Sequence, residues 1–448
     1  MYKLKLIIRY LLKRRITYVA VLTVALCVFI VMVVMTVMSG LVGNFKEKNH
    51  DYVGDCVVGT KSLVGFAHYE AFLEILSQTE GIQAVSPVVK NVGLLQWADT
   101  QDSKGVDILG IDPVRHSQVT NFAQTLHYRA KDVARAFVSP HDPNAVGCIQ
   151  GIDIDMYRNA QNQYVYSRTP PRTTMSLTCF PLTARGAPAK VGTSEVSRRR
   201  FHYSDMSRSG IARVDSETIY IPLEQAQNLC MAGQLKRISA IHIKFRSGTS
   251  VSEGCDRVAA LWERFKSDNS EAANSELFDS VTVESWKAYR RASIAPMEKE
   301  EAIMGVMFGF VGITSVFIVF VVFYMIVSHK TKDIGVLKSV GASNWSVLSL
   351  FSGFAFVVGL LGSLLGVVAA LLFLRKINRI EDILFERFGF QLWDRTIFAI
   401  GEIPHRVDPI GLAAIVICAI LACLIGALAP GYCAARLRPV ETLHGTSA

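Results

Sequence analysis

The chain has 448 residues, half of them hydrophobic, and a formal net charge of +9. This length and apolar content exclude a single small soluble domain. The positive excess is confined to three short segments and the rest of the chain is balanced, so the charge does not indicate nucleic-acid binding.

Four apolar runs dominate the chain, and each is long enough to cross about 30 Å of hydrocarbon as a helix. None contains Asp, Glu, Lys or Arg, and they occupy 16–38, 302–328, 347–374 and 410–430. A soluble protein rarely buries four such runs, so the sequence predicts an integral membrane protein with four transmembrane helices. The first run is longer than the apolar core of a signal peptide, and we expect it to be retained.

The residues before the first run, 1–15, form a basic and amphipathic segment. Lys5, Arg9 and Lys13 fall on one face of a helix, and Leu4 with its apolar neighbours falls on the other. Such a helix lies in the membrane interface, where anionic lipid attracts its basic side. We therefore expect an interfacial helix that leads into the first span.

The stretch at 39–301 predicts a large mixed α+β domain of two lobes between the first and second spans. Helices are expected at 69–78 and 252–268, where apolar residues recur at helical spacing and Ser252 supplies a cap for the second. Runs rich in β-branched and aromatic residues predict strands at 105–112, 218–223 and 239–245.

Two parts of this domain are rich in turn residues and are predicted to be loops. The first is TPPRTT, which contains Pro170 and Pro171, and the second is the basic, serine-rich stretch at 192–210.

The same domain contains five cysteines. They are Cys56, Cys148, Cys179, Cys230 and Cys255. Because the number is odd, at most two disulfides form there and one thiol is left over. Spacing alone does not assign the pairs.

The charge pattern predicts the orientation in the membrane. Basic residues exceed acidic ones only before the first span, between the second and third, and after the fourth, so the positive-inside rule puts these parts in the cytoplasm. The predicted segments are a cytoplasmic amphipathic helix (1–15), span one (16–38), the extracytoplasmic domain (39–301), span two (302–328), a cytoplasmic coupling segment (329–346), span three (347–374), a short extracytoplasmic loop (375–409), span four (410–430) and a cytoplasmic tail (431–448).

The short basic stretch between the second and third spans predicts a separate helix. Thr331 is a suitable N-cap, Gly341 supplies a left-handed stop, and Ser343 starts the next helix. A rigid two-turn helix in the cytoplasm is what a soluble motor protein needs as a docking element. An ordinary basic turn is the alternative interpretation.

The spans carry small residues rather than reactive ones. Gly305, Gly309, Gly362 and Gly366 allow close approach of helices, and we expect these spans to pack against protein. The chain contains no nucleotide-binding, hydrolase or zinc motif. The sequence therefore predicts a non-catalytic protein that binds no cofactor or metal directly and takes its energy from a partner.

The stretch KTKDIGVLKSVGASNWSVLSLF resembles the coupling helix of FtsX-like permeases of ABC transporters, the MacB and LolC/LolE type. The residues that carry the likeness are Lys332, Asp333, Ile334, Gly335, Lys338, Gly341 and Ala342. The ending APGYCAARLRPVETLHG is similar to the closing motif of the same family, through Pro430, Arg436, Pro439 and Glu441. Within the family, the stretches VMSGLVGNFKEKN, GVDILGIDP and DSETIYIPLEQAQNL resemble the lipoprotein-releasing permeases.

This resemblance implies a permease that works by mechanotransmission in the bacterial inner membrane, with both termini in the cytoplasm and the large domain in the periplasm. Its partners would be a separate ABC ATPase dimer, which binds the ATP and magnesium, and a second copy or a paralogous permease. Membrane lipid and a periplasmic lipoprotein carrier or adaptor would also contact it, the carrier at the loop with Pro170 and Pro171. No nucleic-acid partner is implied.

The cargo implied by the resemblance is lipoprotein released from the outer leaflet. Two alternatives stay open at this point. One is MacB-like export of a peptide, toxin or drug, and the other is FtsX-like regulation of a cell-wall hydrolase.

Overall fold

The computed structural model describes residues 15–99, 102–156, 164–189, 196–232, 235–329, 331–388, 403 and 407–436. They form two compact units, an α/β unit at 45–295 and a helical unit made of the described residues before and after it. The amphipathic helix predicted at 1–15 lies, except for its last residue, outside the described residues.

Twelve α-helices are found in the described part of the chain. In chain order they are α1 (Arg15–Val53), α2 (Tyr69–Gln78), α3 (Pro113–Val119), α4 (Phe122–Thr125), α5 (Ala212–Glu217), α6 (Leu223–Cys230), α7 (Val251–Asp268), α8 (Trp286–Tyr289), α9 (Arg291–His329), α10 (Thr331–Ser339), α11 (Asn344–Phe388) and α12 (Pro409–Arg436). Two short 3₁₀ helices lie at Val133–Arg135 and Ser275–Ser280.

In its described residues, the α/β unit is built on one sheet of nine strands. They are β1 (Cys56–Thr60), β2 (Ile82–Trp97), β3 (Ser103–Ile111), β4 (Gly147–Gly151), β5 (Thr174–Cys179), β6 (Ser197–Ser207), β7 (Thr218–Pro222), β8 (Ala240–Phe245) and β9 (Val281–Ser285). The strand order is β3-β7-β4-β6-β5-β2-β8-β1-β9, and β2 also pairs with β3, which closes six strands into a ring. The two lobes predicted from the sequence therefore share one continuous sheet.

The main core of this unit lies where α2 and α7 cover the sheet. The ring centroid of Trp262 on α7 lies 4.9 Å from that of Phe72 on α2 and 5.6 Å from that of Phe278. All three side chains are buried. Edge-to-face aromatic packing of this kind adds to the hydrophobic gain from burying large apolar surfaces.

Three sequence predictions are corrected by the structure. The stretch at 192–210, predicted as a loop, contains strand β6, which pairs with β4 and β5 while its arginines stay exposed. Ser252 does not cap α7, because that helix begins at Val251 with Ser250 in the N-cap position. The third long helix continues through 375–388, part of the predicted loop, because no Gly or Pro stops it before Gly389.

Four helices in the described residues are long and apolar enough to cross a membrane. They are α1, α9, α11 and α12, and each contains one of the apolar runs found in the sequence. In the helical unit, one buried cluster joins α1, α9, α11 and α12, with Val24, Phe323, Phe354 and Ala427 among its members.

Candidate functional site

The short helix α10 is packed into the helical unit along one side. Ile334 is 3% exposed and belongs to the same buried cluster as Val347 of α11 and Ala435 of α12. Gly335, which follows Ile334, is also buried. The helix is therefore held by apolar contacts.

The end of α10 is closed by a Schellman motif. Gly341 has a φ of 98°, its N–H donates to the Lys338 carbonyl oxygen at 3.0 Å, and the Ala342 N–H donates to the Leu337 carbonyl oxygen at 3.1 Å. These two bonds satisfy carbonyls that a helix end otherwise leaves unpaired. The Gly-Ala pair of the motif is thus the device that ends this helix.

The next helix begins at once. Ser343 precedes α11, and its Oγ accepts a hydrogen bond from the Ser346 N–H at 3.2 Å. This is the geometry of an N-cap, which satisfies one of the free N–H groups of the first turn. The turn between α10 and α11 therefore needs only two residues beyond the glycine.

Lys338 is engaged within the chain. Its Nζ donates to the carbonyl oxygen of Ala435 at 2.7 Å, in the last turn of α12. A cation is favoured there because the last carbonyls of a helix are unpaired and the helix dipole is negative at that end. The lysine therefore ties α10 to the C-terminal end of α12.

The opposite side of the segment is apolar and exposed. Val336, Val340 and Trp345 are 51%, 84% and 79% exposed. We call these three side chains the exposed apolar face. Trp345 is not among the site residues predicted from the sequence, and only its exposure in the structure points to it.

The closing motif is described only in part. Pro430 is buried within α12, and the Arg436 guanidinium lies over the Tyr432 ring at 4.6 Å from its centroid. Pro439 and Glu441, as well as the side chains of Lys332 and Asp333, lie outside the described part of the chain.

The predicted packing glycines fall into two groups. A Cβ added at Gly362 would lie 2.8 Å from the Val24 Cβ, and one at Gly366 would lie 2.6 Å from the Ala25 carbonyl oxygen, so α11 approaches α1 closely. At Gly305 and Gly309 an added Cβ would meet nothing within 4 Å. These two glycines of α9 have no packing partner in the described residues.

An apolar groove of about 500 Å³ lies between α1, α9 and α12. Val28, Gly309 and Ala419 are among the residues that line it, one from each helix. A groove with so little polar surface suits a hydrocarbon chain.

A second constellation, which we call the Asp55 cluster, lies in the α/β unit and consists of His50, Asp55, Lys244, Phe245 and Trp286. The Asp55 carboxylate accepts hydrogen bonds from His50 Nε2 and the Phe245 N–H, both at 2.7 Å, and Lys244 Nζ lies 3.5 Å away. The Trp286 N–H donates to the Asp55 carbonyl oxygen at 3.1 Å, and its ring lies 4.8 Å from that of His50.

Burial alone would raise the pKa of Asp55. The hydrogen bonds from His50 and Phe245 and the charge of Lys244 outweigh it and lower the pKa. The carboxylate therefore stays ionised while it ties the end of α1 to β8, and the Asp55 carbonyl oxygen binds the start of α8.

A further buried hydrogen bond between side chains lies next to this cluster. Arg290 Nε donates to Asn49 Oδ1 at 2.8 Å, and the guanidinium lies 5.2 Å from the centroid of the Tyr52 ring. Asn49 is completely buried.

The predicted carrier loop lies in the same unit. Pro171 is exposed, and the Pro170 carbonyl oxygen accepts from His141 Nε2 at 2.8 Å. In the described ranges no group of three His, Cys, Asp or Glu side chains could hold a metal ion.

Comparison with known proteins gives three kinds of match. Residues 305–439 match the FtsX-like permease C-terminal family. The lipoprotein-releasing system transmembrane protein LolC of Xylella fastidiosa (strain Temecula1) is 19% identical over 429 residues, 96% of this chain and 94% of the relative. The LolC of Neisseria meningitidis serogroup B is 21% identical over 432 residues, with the same coverage of each chain.

A solved structure is also similar. The periplasmic region of MacB from Actinobacillus actinomycetemcomitans is 13% identical and covers 55% of this chain and 95% of that one, with a TM-score of 0.32. A score that low does not define a shared fold.

Four candidate spans, with a large α/β domain between the first and second and a short structured segment between the second and third, fit a membrane protein with a large domain outside the bilayer. Residues 305–439 match the FtsX-like permease C-terminal domain, and the chain is similar to LolC along nearly its whole length, which supports an ABC transporter permease of the FtsX/LolC type.

Proposed function

We propose that this permease is driven by a separate ABC ATPase dimer and releases lipoproteins from the outer leaflet of the bacterial inner membrane. The ATPase binds ATP and magnesium, and this chain performs no chemistry. Movement of the ATPase subunits is passed through α10 to the long helices and the α/β unit.

The observation that carries this proposal is the construction of α10. Its buried side fixes it to α11 and α12, the Schellman motif ends it, and Lys338 ties it to Ala435. The exposed apolar face consists of Val336 on α10 with Val340 and Trp345 just beyond its end, and large exposed apolar side chains mark a protein contact. A rigid element with such a face is suited to transmit a push from a docked partner.

The distribution of charge supports the orientation. The excess of basic residues on the coupling segment and near both termini favours a cytoplasmic location for them. The segment 41–301, in which basic and acidic residues are equal in number, then faces the periplasm. ATP hydrolysis in the cytoplasm would thus drive movement of the α/β unit on the other side of the membrane.

Two features support lipoprotein as cargo. The LolC relatives, named for lipoprotein release, align with nearly the whole chain. The apolar groove of about 500 Å³ between α1, α9 and α12 has the character of an acyl-chain site. A second permease copy or a paralogue would pack on the open surface at Gly305 and Gly309 and enlarge this groove.

The docking role is tested by placing a charge on the exposed apolar face. Val340→Asp should lower co-purification with the ATPase and ATP-dependent release by about tenfold or more, the change that a docking cost of about 1.4 kcal/mol produces. Val114→Asp is the matched control, because Val114 is also exposed but lies on α3 of the α/β unit. Equal activity of the two variants would remove α10 from the docking surface.

The cargo is tested by what the purified complex holds. Mass analysis of the ATPase–permease complex, trapped without nucleotide, should find acylated lipoproteins. Peptides or small drugs in their place would support the export alternative. A complex that carries no cargo and activates a wall hydrolase in reconstituted form would support the regulatory alternative.

A further inference from the structure

We infer that the α/β unit carries two disulfide bonds, Cys56–Cys255 and Cys179–Cys230, while Cys148 stays a thiol. The inference rests on the proposed periplasmic location, because disulfides form and persist in that compartment and not in the cytoplasm. It answers the question that cysteine spacing left open.

The first pair joins the sheet to the helix that covers it. Cys56 is the first residue of β1, and Cys255 lies in the first turns of α7, which packs on that strand. Both side chains belong to one buried cluster with Val258 and Trp262 of α7. The two thiols are close enough to hydrogen-bond to each other.

The second pair joins two segments that run side by side. Cys179 Sγ donates to the Leu229 carbonyl oxygen at 3.0 Å, and the Leu182 N–H donates to the Cys230 carbonyl oxygen at 3.2 Å. The Ala232 N–H donates back to the Leu182 carbonyl oxygen at 3.0 Å. The Cys179 and Cys230 thiols are again close enough to interact.

The fifth cysteine has a different neighbour. Cys148 is completely buried on β4, and its Sγ donates to the thioether sulfur of Met175 at 3.2 Å. A thioether forms no disulfide, and the other four cysteines of this unit already have partners. Cys148 is therefore the thiol left over.

In each pair one thiol is prepared to react first. The hydrogen bond from Cys56 lowers the pKa of Cys255, and the hydrogen bond from Cys230 lowers the pKa of Cys179. The thiolate is the form that attacks a disulfide. All four side chains are nearly or completely buried in the folded unit, so the exchange takes place late in folding, after each pair has met and before the core closes over it.

The oxidant required is the disulfide of a thiol oxidoreductase, or a small-molecule disulfide in vitro. The Cys255 or Cys179 thiolate attacks one sulfur of that disulfide, forms a mixed disulfide and displaces the other sulfur as a thiol. The partner cysteine then attacks the mixed disulfide and releases the second thiol. Each bridge thus gives two electrons and two protons to the oxidant, whose disulfide becomes a dithiol.

Thiol counting tests the inference on the full chain. Cells are quenched in acid, and the protein is denatured without reductant and treated with a maleimide. Of its nine cysteines, four are expected in bridges, so five thiols should be labelled before reduction and nine after it. A digest without reductant should yield cross-linked peptides of Cys56 with Cys255 and of Cys179 with Cys230. Nine labels before reduction, or a bridge to Cys148, would overturn the inference.

Matched variants sharpen this count. Cys148→Ser should leave four labelled thiols before reduction and eight after it, with both bridges intact. A double variant, Cys56→Ala with Cys255→Ala, should still give five before reduction but only seven after it. Reductant should lower the melting temperature of the wild type more than that of the double variant, because the long loop is then no longer closed. An equal shift would contradict the first bridge.

A final measurement separates this inference from the proposed function. Lys61 is highly exposed in the α/β unit, so Lys61→Cys should be labelled in intact cells by a maleimide that does not cross the inner membrane. If Lys61→Cys is labelled but the four paired cysteines are reduced, the disulfides are wrong and the proposed location stands. If Lys61→Cys is not labelled, the location is wrong. Purified reduced protein should form the same two bridges with oxidised glutathione, and failure to do so would overturn the pairing itself.

Discussion

The coupling segment around α10 and the Asp55 cluster of the α/β unit are held in place in different ways. At the coupling segment, a glycine with positive φ, a serine cap and one buried side chain fix the backbone. At Asp55, a buried carboxylate gathers donors from two parts of the chain, His50 on α1 and Lys244 with Phe245 on β8. The first arrangement is local apart from the bond between Lys338 and Ala435, and the second joins residues 190 positions apart in sequence.

This difference indicates which substitutions should destabilise each region. A segment held by local backbone bonds tolerates changes at its exposed side chains, so that surface is free to recognise a partner. A network around a buried charge loses several contacts when one residue changes, since the remaining polar groups are left without partners. We therefore expect the largest stability effects at Asp55 and the smallest at the coupling segment.

The strongest test is Asp55→Ala. Loss of the carboxylate leaves the Phe245 N–H and His50 unpaired, and we expect a loss of about 2 to 4 kcal/mol in unfolding free energy. Chemical unfolding of the detergent-purified chain, followed by tryptophan fluorescence, measures it. Asp279→Ala is the control, because Asp279 pairs with Lys266 on the open surface and its loss should not be measurable. Similar losses of unfolding free energy in both variants would contradict a larger stabilising role for the Asp55 cluster.

A second test uses pH and His242. This residue is completely buried, neither ring nitrogen has a hydrogen-bond partner among the described residues, and burial lowers its pKa well below 6.5. Below pH 6.5 the unfolded chain takes up a proton that the folded chain does not, so stability falls as the pH falls. In His242→Leu the unfolding free energy should fall less on acidification than in the wild type, by about 1.4 kcal/mol for each pH unit below 6.5.

The comparison with wild type is essential for this measurement. Asp215 acts in the opposite direction, because burial raises its pKa to about 6. The folded chain therefore takes up a proton there at a higher pH than the unfolded chain, and this group adds stability as the pH falls. The difference between wild type and His242→Leu at pH 7, 6 and 5 isolates the histidine. His141→Leu, at an exposed position, is the matched control for the substitution itself. A difference that does not grow on acidification would show that His242 is protonated in the fold.

Arg290→Ala should have a smaller effect than Asp55→Ala. The buried Asn49 Oδ1 loses its donor, which costs about 1 to 2 kcal/mol. ATP-dependent release should also fall, because Arg290 ties the end of α1 to the start of α9. The neighbouring Arg291 is exposed, so Arg291→Ala is the control for stability and release. Identical behaviour of the two arginine variants would assign no role to the Asn49 contact.

The smallest effect is expected at the end of α10. An added Cβ at Gly341 meets nothing within 4 Å, so Gly341→Ala tests the backbone alone, and its φ of 98° should cost about 1 kcal/mol. Gly305→Ala is matched, since it also adds a Cβ in open space but within a helix, and should be neutral or slightly stabilising. Thermal unfolding of both variants, compared with the wild type, measures these changes in stability. An unchanged Gly341→Ala protein would mean that the Schellman motif contributes nothing to the rigidity of α10.

Sequence patterns predicted much of the local structure correctly. Helix α2 coincides with its predicted range, and the predicted strands at 105–112, 218–223 and 239–245 agree with β3, β7 and β8 within two residues. The positive φ at Gly341 was readable because left-handed backbone strongly favours glycine. Strand β6 was missed because its pairing with β4 and β5 stabilises a basic stretch whose own composition suggests a loop.

By itself the sequence determined the four apolar helices and the stop and cap around Gly341, because each depends on the chemistry of residues close together in the chain. The orientation in the membrane stays a prediction from charge. Only the tertiary structure decided which cysteines are neighbours, that Lys338 binds the end of α12, and that Trp345 stays exposed. These facts depend on contacts between residues far apart in sequence, and spacing along the chain does not encode such distances.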